Sequence, residues 1–292
     1  MAKQKRKLPR FLRSLLGSAP GMVGAVIVLV VIFTALFADL LAPHDYRALN
    51  AANRLSPPSA VSAAEGQAPN FLGTDSMGRD LLSRVIHGSR ISLLMGVLAS
   101  VLGSIVGMFI GMLAGFYGKT VDSCISLVVN IQMAFPFTLL AIFIIAVFGG
   151  GLNRLILVLA WSAWVNYARI MRGQVISIKN MEYVNAARVL GVRKSRIMLR
   201  HILPNTLSPI IIVMTFTAAS VILMEAQLSF LGLGVDPHIP TWGGILADGR
   251  VYIERAWWIC AFPGIAIFVT VLGINLFGDW LRDFLDPRLK NS

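Results

Sequence analysis

The sequence predicts an all-α integral membrane protein with six transmembrane helices, and three observations predict it. Of 292 residues, 56% are hydrophobic and 14% charged, and a mean hydropathy of +0.73 leaves too little polar material to cover a water-facing surface. Six stretches approach the roughly 20 apolar residues with which a helix crosses about 30 Å of hydrocarbon, its backbone hydrogen bonds satisfied internally. The 26 Lys and Arg behind the net charge of +12 stand in short blocks between those stretches, not on a stripe interleaved with aromatics. That makes the charge topological and argues against a nucleic-acid partner.

In chain order, residues 1–20 form a basic tail (Lys3, Lys5, Arg6, Lys7, Arg10, Arg13). The apolar run that follows, residues 21–41, exceeds a secretory h-region of about 7 to 15 residues and is expected to remain as the first span. Residues 42–90, with Pro57-Pro58, Pro69 and scattered charge, form an extracytoplasmic segment. The next three spans are 91–116, 123–148 and 152–167. The last of these is the shortest, with Arg154 and Asn166 at its ends, where such side chains reach the interface. A cytoplasmic loop (168–205), span five (206–228), an outer loop (229–256), span six (257–281) and a tail (282–292) complete the chain. With the amino terminus inside, 18 of the 26 Lys and Arg fall on the cytoplasmic side and 8 opposite. Both termini and the 168–205 loop are therefore expected in the cytoplasm.

Within the spans, Gly103, Gly107, Gly111 and Gly115 recur every four residues, stacking on one helix face where another helix can approach closely. Bundle packing is the simpler reading and a path-lining role the sharper one. Pro136 in span three and Pro263 in span six each remove a helix hydrogen bond and are expected to kink their helices, for gating or for shape. The polar residues of the spans, Asn130, Gln132, Glu225, Asn275 and Asp279, are costly in hydrocarbon and should face protein or water. Asn130, Gln132, Pro136, Glu225 and Asn275 are the candidate path or gating residues, with helix-end hydrogen bonding the alternative for Glu225 and Asp279.

Catalytic and metal chemistry find no support. Cys124 and Cys260 are far apart within apolar runs, and His44, His87, His201 and His238 make no ligand pattern. Gly118-Lys119-Thr120 looks like the end of a phosphate-binding loop, but Leu113 stands where that pattern needs glycine. Energy from a nucleotide would have to come from a partner chain. A secondary transporter would show inverted repeats and buried ionisable residues, and a membrane enzyme a polar catalytic cluster; neither is evident.

The loop between spans four and five is the most informative stretch. Residues 182–191 (Glu182-Tyr183-Val184-Asn185-Ala186-Ala187-Arg188-Val189-Leu190-Gly191) read as a short helix of small and apolar residues stopped by glycine. A basic second helix follows from Arg193 to Ile202, then Leu203-Pro204. Such an element should dock on something, either a protein partner or an anionic lipid surface. Asn185-Ala186-Ala187, Gly191 and Leu203-Pro204 resemble the cytoplasmic motif of permease subunits of bacterial ATP-binding cassette (ABC) importers, with Asn185 standing at that motif's usual Glu.

Three more stretches resemble the dipeptide and oligopeptide (and nickel) importer branch, specifically its second, C-type permease. They are Gly73-Thr74-Asp75-Ser76-Met77-Gly78-Arg79-Asp80; Leu228 to Gly234 with Pro240-Thr241-Trp242-Gly243; and Asn275 to Asp279 through Asp286-Pro287-Arg288. The resemblance implies a type I ABC importer permease architecture in the bacterial inner membrane. It implies a heterodimer with a second permease chain, cytoplasmic ATPase subunits that hydrolyse ATP, and an extracytoplasmic solute-binding protein. No cofactor would be bound by this chain. Glu182, Tyr183, Asn185, Ala186, Ala187, Gly191 and Pro204 would form the ATPase-coupling element. The implied cargo is a dipeptide or oligopeptide, with glutathione or nickel chelates as alternatives in the same branch.

Overall fold

The computed structural model describes residues 10–59 and 68–285, and every regular element among them is helical. The basic residues Lys3, Lys5, Arg6 and Lys7 and the Asp286-Pro287-Arg288 motif lie outside the described residues. Helix α1 (Arg10–Leu16) leads into α2 (Ala19–Leu36), where Ser18 accepts a hydrogen bond from the Gly21 amide and Pro20 occupies the first turn. The first span thus stops at Leu36, short of the expected 41, and a separate turn, α3 (Ala38–Leu41), follows.

Helix α4 (Leu81–Tyr117) starts ten residues before the expected span two, because the Asp80 carboxylate caps it by accepting from the Ser83 amide at 2.8 Å. Span three is not one kinked helix but two, α5 (Lys119–Ala134) and α6 (Phe137–Phe148), bent by 86°. The cause is local: Pro136 forces Phe135 out of the helical region to φ −96°, ψ 132°. By contrast α12 (Trp258–Leu285) runs through Pro263. Helix α7 (Leu152–Ile178) extends eleven residues beyond the expected span four. It is followed by α8 (Glu182–Val189) and α9 (Lys194–Arg196), then a π-helical stretch, Ile197–Ile202, that flows directly into α10 (Leu203–Phe230). Pro204 is therefore a first-turn proline of α10. The loop between α10 and α12 carries its own helix, α11 (Trp242–Gly249), capped by the Thr241 hydroxyl.

Among the described residues, four stretches are long and apolar enough to cross a membrane: α2, α4, the run from Lys194 through α10, and α12. Counting the bent α5/α6 pair as one makes five. Helix α7 falls short of that measure, its apolar run diluted by Arg154, Asn166, Arg169 and Arg172. Yet α7 makes the most extensive helix pairing in the protein, along α4. The glycine stripe of α4 faces it in register: a Cβ at Gly103 would lie 2.8 Å from the Ala163 Cβ, at Gly107 2.6 Å from that of Tyr167, at Gly111 2.8 Å from that of Met171 and at Gly115 2.7 Å from that of Val175. The stripe is packing, not path.

On the other flank α2 lies against α12, Gly24 meeting the Phe277 backbone. Phe11 of α1 meets Trp280 edge-on at 4.9 Å, so the start of α1 and the end of α12 share one end of the bundle.

Candidate functional site: an exposed short helix and a polar helix face

Helix α8 is built to present a surface. Val184 and Ala187 are its buried residues, packed in the cluster that holds Tyr167, Met171 and Ile197. Its end is a Schellman turn: the Val192 amide donates to the Ala187 carbonyl and the Gly191 amide to the Arg188 carbonyl, and Gly191 supplies the required left-handed conformation at φ +74°. This turn leaves Val189 and Leu190 pointing outward, 88% and 81% exposed. The two side chains form an exposed apolar pair at the end of α8. Glu182 and Ala186 are exposed beside them. Asn185 is also exposed, its amide donating to the Asn180 carbonyl and its carbonyl accepting from Arg188. Tyr183 is tied to the base of α10, accepting from Asn205 at 3.2 Å while Asn205 also donates to the His201 carbonyl at 2.7 Å. The exposed Pro204 lies in the same turn. Tyr183 and Asn205 thereby link α8 to α10, and the shared cluster links it to α7.

The second feature is a polar face on α7. Ser162, Asn166, Arg169, Gly173 and Ser177 recur at intervals of four, three, four and four, and the last four are exposed. The opposite face, with Ala163, Tyr167, Met171 and Val175, is buried. Two cavities flank the polar face. One, of about 650 Å³, is lined by Ser126, Asn130 and Met133 of α5 with Arg169 and Arg172. The other, of about 460 Å³, is lined by Asn166, Arg169, Phe216, Thr217 and Ser220. Asn130 is therefore a lining residue. Gln132 instead clamps α5 to α7, donating to the Trp161 carbonyl at 2.8 Å and accepting from the Trp164 indole at 2.9 Å. Pro136 marks the exposed break between α5 and α6, and Asn275 is half-buried on α12; neither lines these two cavities. Arg172 is held by Asp122 in a two-point ion pair, 2.5 and 2.7 Å.

Sequence reasoning took Asn166 for a span end and missed Arg169 as a lining residue, reading it as loop charge. The spacing of small and polar residues through Ser177 was the available signal.

The end of the bundle away from α1 carries a cap held by ion pairs. Asp75, fully buried, accepts from Arg79 at 2.6 Å and Arg84 at 2.5 Å, and Asp248 of α11 lies 3.6 and 3.3 Å from the same two arginines. The Trp258 indole donates to the Thr74 carbonyl at 3.1 Å. Glu225 belongs to this cap rather than to the polar face: it is fully buried, accepting from Ser229 at 2.7 Å and Thr241 at 2.9 Å. Asp75→Asn is expected to destabilise the detergent-extracted protein by about 3 kcal/mol, the cost of stranding buried charges whose partner is removed. Asp248→Asn, on a half-exposed partner, should cost much less. Equal melting temperatures for the two variants would refute this account of the cap.

Residues 107–291 match the family described as binding-protein-dependent transport system inner membrane component. The chain belongs to that family. Residues 9–58 match a second description, the N-terminal transmembrane domain of oligopeptide transport permease C, which places α1 to α3 in a module of their own ahead of the shared core. Among similar proteins, the di/tripeptide transport system permease protein DppC of Pseudomonas aeruginosa is 43% identical over 98% of this chain and 93% of its own length. The dipeptide permease DppC of Escherichia coli K12 is 43% identical over 92% and 89%. The oligopeptide permease OppC of Bacillus subtilis is 38% identical over 92% and 86%.

A solved structure of the MetNI methionine ABC transporter, inward facing, superposes with a TM-score of 0.59 at 20% identity, over 70% of this chain and 98% of that one. An amino acid ABC transporter superposes at 0.55 and 18%, over 70% and 95%. These likenesses show the fold, one shared with chains of these ABC transporters. As a member of the inner-membrane-component family, the chain is a multi-pass inner membrane protein. Gly118 alone joins two helices, α4 and α5, so the strand that a nucleotide-binding loop requires does not precede Gly118-Lys119.

Proposed function

We propose that this chain is the C-type permease subunit of an ABC importer that carries dipeptides or oligopeptides across the bacterial inner membrane. The observation that carries the reading is 43% identity to a di/tripeptide permease over 98% of this chain.

In this reading six spans cross the membrane: α2, α4, the α5/α6 pair, α7, α10 and α12. Helix α7 tolerates its arginines because Arg172 is neutralised by Asp122 and its apolar face lies on α4. Both termini are cytoplasmic, which agrees with the contact between α1 and the end of α12 and with the excess of Lys and Arg on that side. A second permease chain completes the path along the polar face of α7. ATP is hydrolysed by cytoplasmic ATPase subunits seated on α8, and an extracytoplasmic binding protein delivers cargo to the capped end. Closure of the ATPase pair moves α8. Its ties through Tyr183 to α10, and through Val184 to the cluster on α7, turn that motion into a rotation of the lining helices.

The test is uptake of labelled di-, tri- and oligopeptides, glutathione and nickel into cells with and without this chain, the other subunits being present. Loss of ATP-dependent uptake of peptides alone is the expected result. Loss confined to glutathione or nickel would replace peptide as cargo, and unchanged uptake across the panel would overturn the importer reading.

A further inference from the structure

Arg169 stands apart from the other arginines of the spans. Arg84 is paired with Asp75 and Asp248, Arg90 with Asp39, and Arg172 with Asp122, while Arg154 donates to the Gly150 carbonyl at its own helix start. No carboxylate among the described residues lies within 4 Å of Arg169. The polar contact recorded for its guanidinium is the Met133 sulfur at 3.4 Å, a weak acceptor. A charge inside a span is costly, and where one occurs it faces a cavity or a partner and marks a pathway. Arg169 lines both the 650 and the 460 Å³ cavities. Around them are the amides of Asn130 and Asn166 and the hydroxyls of Ser126 and Ser220, all groups that a solute could hydrogen-bond. A lipid-facing surface would be apolar, whereas this face continues through Gly173 and Ser177.

We propose that Arg169 binds the carboxylate of cargo as it passes along the polar face of α7. This rests on the peptide-import reading, since every unmodified peptide carries a carboxylate at its end. A guanidinium is suited to that role because it stays charged and offers two parallel N–H donors to a carboxylate. The side chain is exposed and engages only a weak acceptor, so cargo displaces no ion pair to reach it. Arg172, three residues on, is already engaged by Asp122 and contributes little net charge.

The test uses the assembled complex in lipid nanodiscs, with Cys124 and Cys260 replaced by alanine and the exposed Asn166→Cys as a reporter on the same face. Anionic sulfonatoethyl and cationic trimethylammonioethyl thiosulfonates are compared, each rate normalised to that with a free thiol. With Arg169 present, the anionic reagent is expected to react about tenfold faster than the cationic one. Arg169→Gln should bring the ratio near one and Arg169→Lys should keep it. Millimolar Ala-Ala should slow anionic labelling in the Arg169 protein, and the amide of Ala-Ala should not.

A ratio near one with Arg169 present would mean that a carboxylate of the second permease chain, or a lipid phosphate, already occupies the guanidinium, and would overturn the proposal. So would equal effects of acid and amide. Labelling reads the site without transport. A failure here beside intact peptide uptake therefore rejects this inference alone, while failed uptake rejects the reading on which it rests.

Discussion

Replacing Gly107 or Gly111 by leucine is expected to prevent recovery of a folded, monodisperse complex after detergent extraction, while the neighbouring lipid-facing positions accept the same change. The reason lies in what drives helices together in a bilayer. Lipid tails are as apolar as leucine, so close van der Waals packing along small residues, rather than expulsion of apolar surface from water, holds α4 to α7. A Cβ at Gly107 would lie 2.6 Å from the Tyr167 Cβ and 3.0 Å from the Ala168 amide nitrogen; at Gly111 it would lie 2.8 Å from the Met171 Cβ and 3.0 Å from the Ala168 carbonyl carbon. These are Cβ and backbone atoms, not the far ends of flexible side chains, so the two helices must separate. Overpacking of a tight interior costs about 1 to 3 kcal/mol per site, and a full leucine here opens the longest interface in the chain. Gly173→Ala is the control. A Cβ there would meet nothing within 4 Å, and alanine favours a helix over glycine by roughly 0.5 to 1 kcal/mol. Its melting temperature should hold or rise, and a Gly107→Leu protein that melts with the wild type would refute the assignment of the stripe to packing.

The glycine stripe was legible in the sequence because its period matches the helix and its partner face needed no identification. The reach of α7 was not. Asn166, Arg169 and Arg172 ended the apparent span at Tyr167, since hydropathy reads each side chain against lipid. In the fold Arg172 is closed against Asp122, fifty residues earlier, and Arg169 opens to cavities, both tertiary facts. The start of α4 was missed for the same reason. Arg84 and His87 look foreign to a span, but the cap built by residues 42–59, residues 68–80 and α11 buries them.

The break at Pro136 was half legible. Proline announces a kink, but the 86° turn needed Phe135 in the extended region. Glu225 was read as a path or helix-end group, and its partner Thr241 sits sixteen residues away at the cap of α11, beyond any local pattern. Helix α8 and its stop could be read almost whole, because its small residues, its stop glycine and its length are all local.

That element carries the second large effect. Leu190→Asp is expected to abolish ATP-dependent uptake while leaving the permease folded and inserted. Leu190 is 81% exposed, held out by the Schellman turn at Gly191, so aspartate there meets water in the isolated chain and strains nothing. On the proposed reading, α8 seats on an ATPase subunit and the same side chain is buried against it in the assembled importer. Burying a leucine contributes about 1.5 to 3 kcal/mol, and each 1.4 kcal/mol is a factor of ten in affinity. The variant should therefore bind its ATPase subunits roughly ten to a hundred times more weakly in a titration with the purified permease pair. Val184→Asp gives the contrast. Val184 is fully buried beneath α8, so that change should lower the melting temperature as well as uptake. If Leu190→Asp kept both uptake and ATPase affinity, the exposed end of α8 would not be the coupling contact, and its apolar pair would have to be assigned to the lipid surface instead.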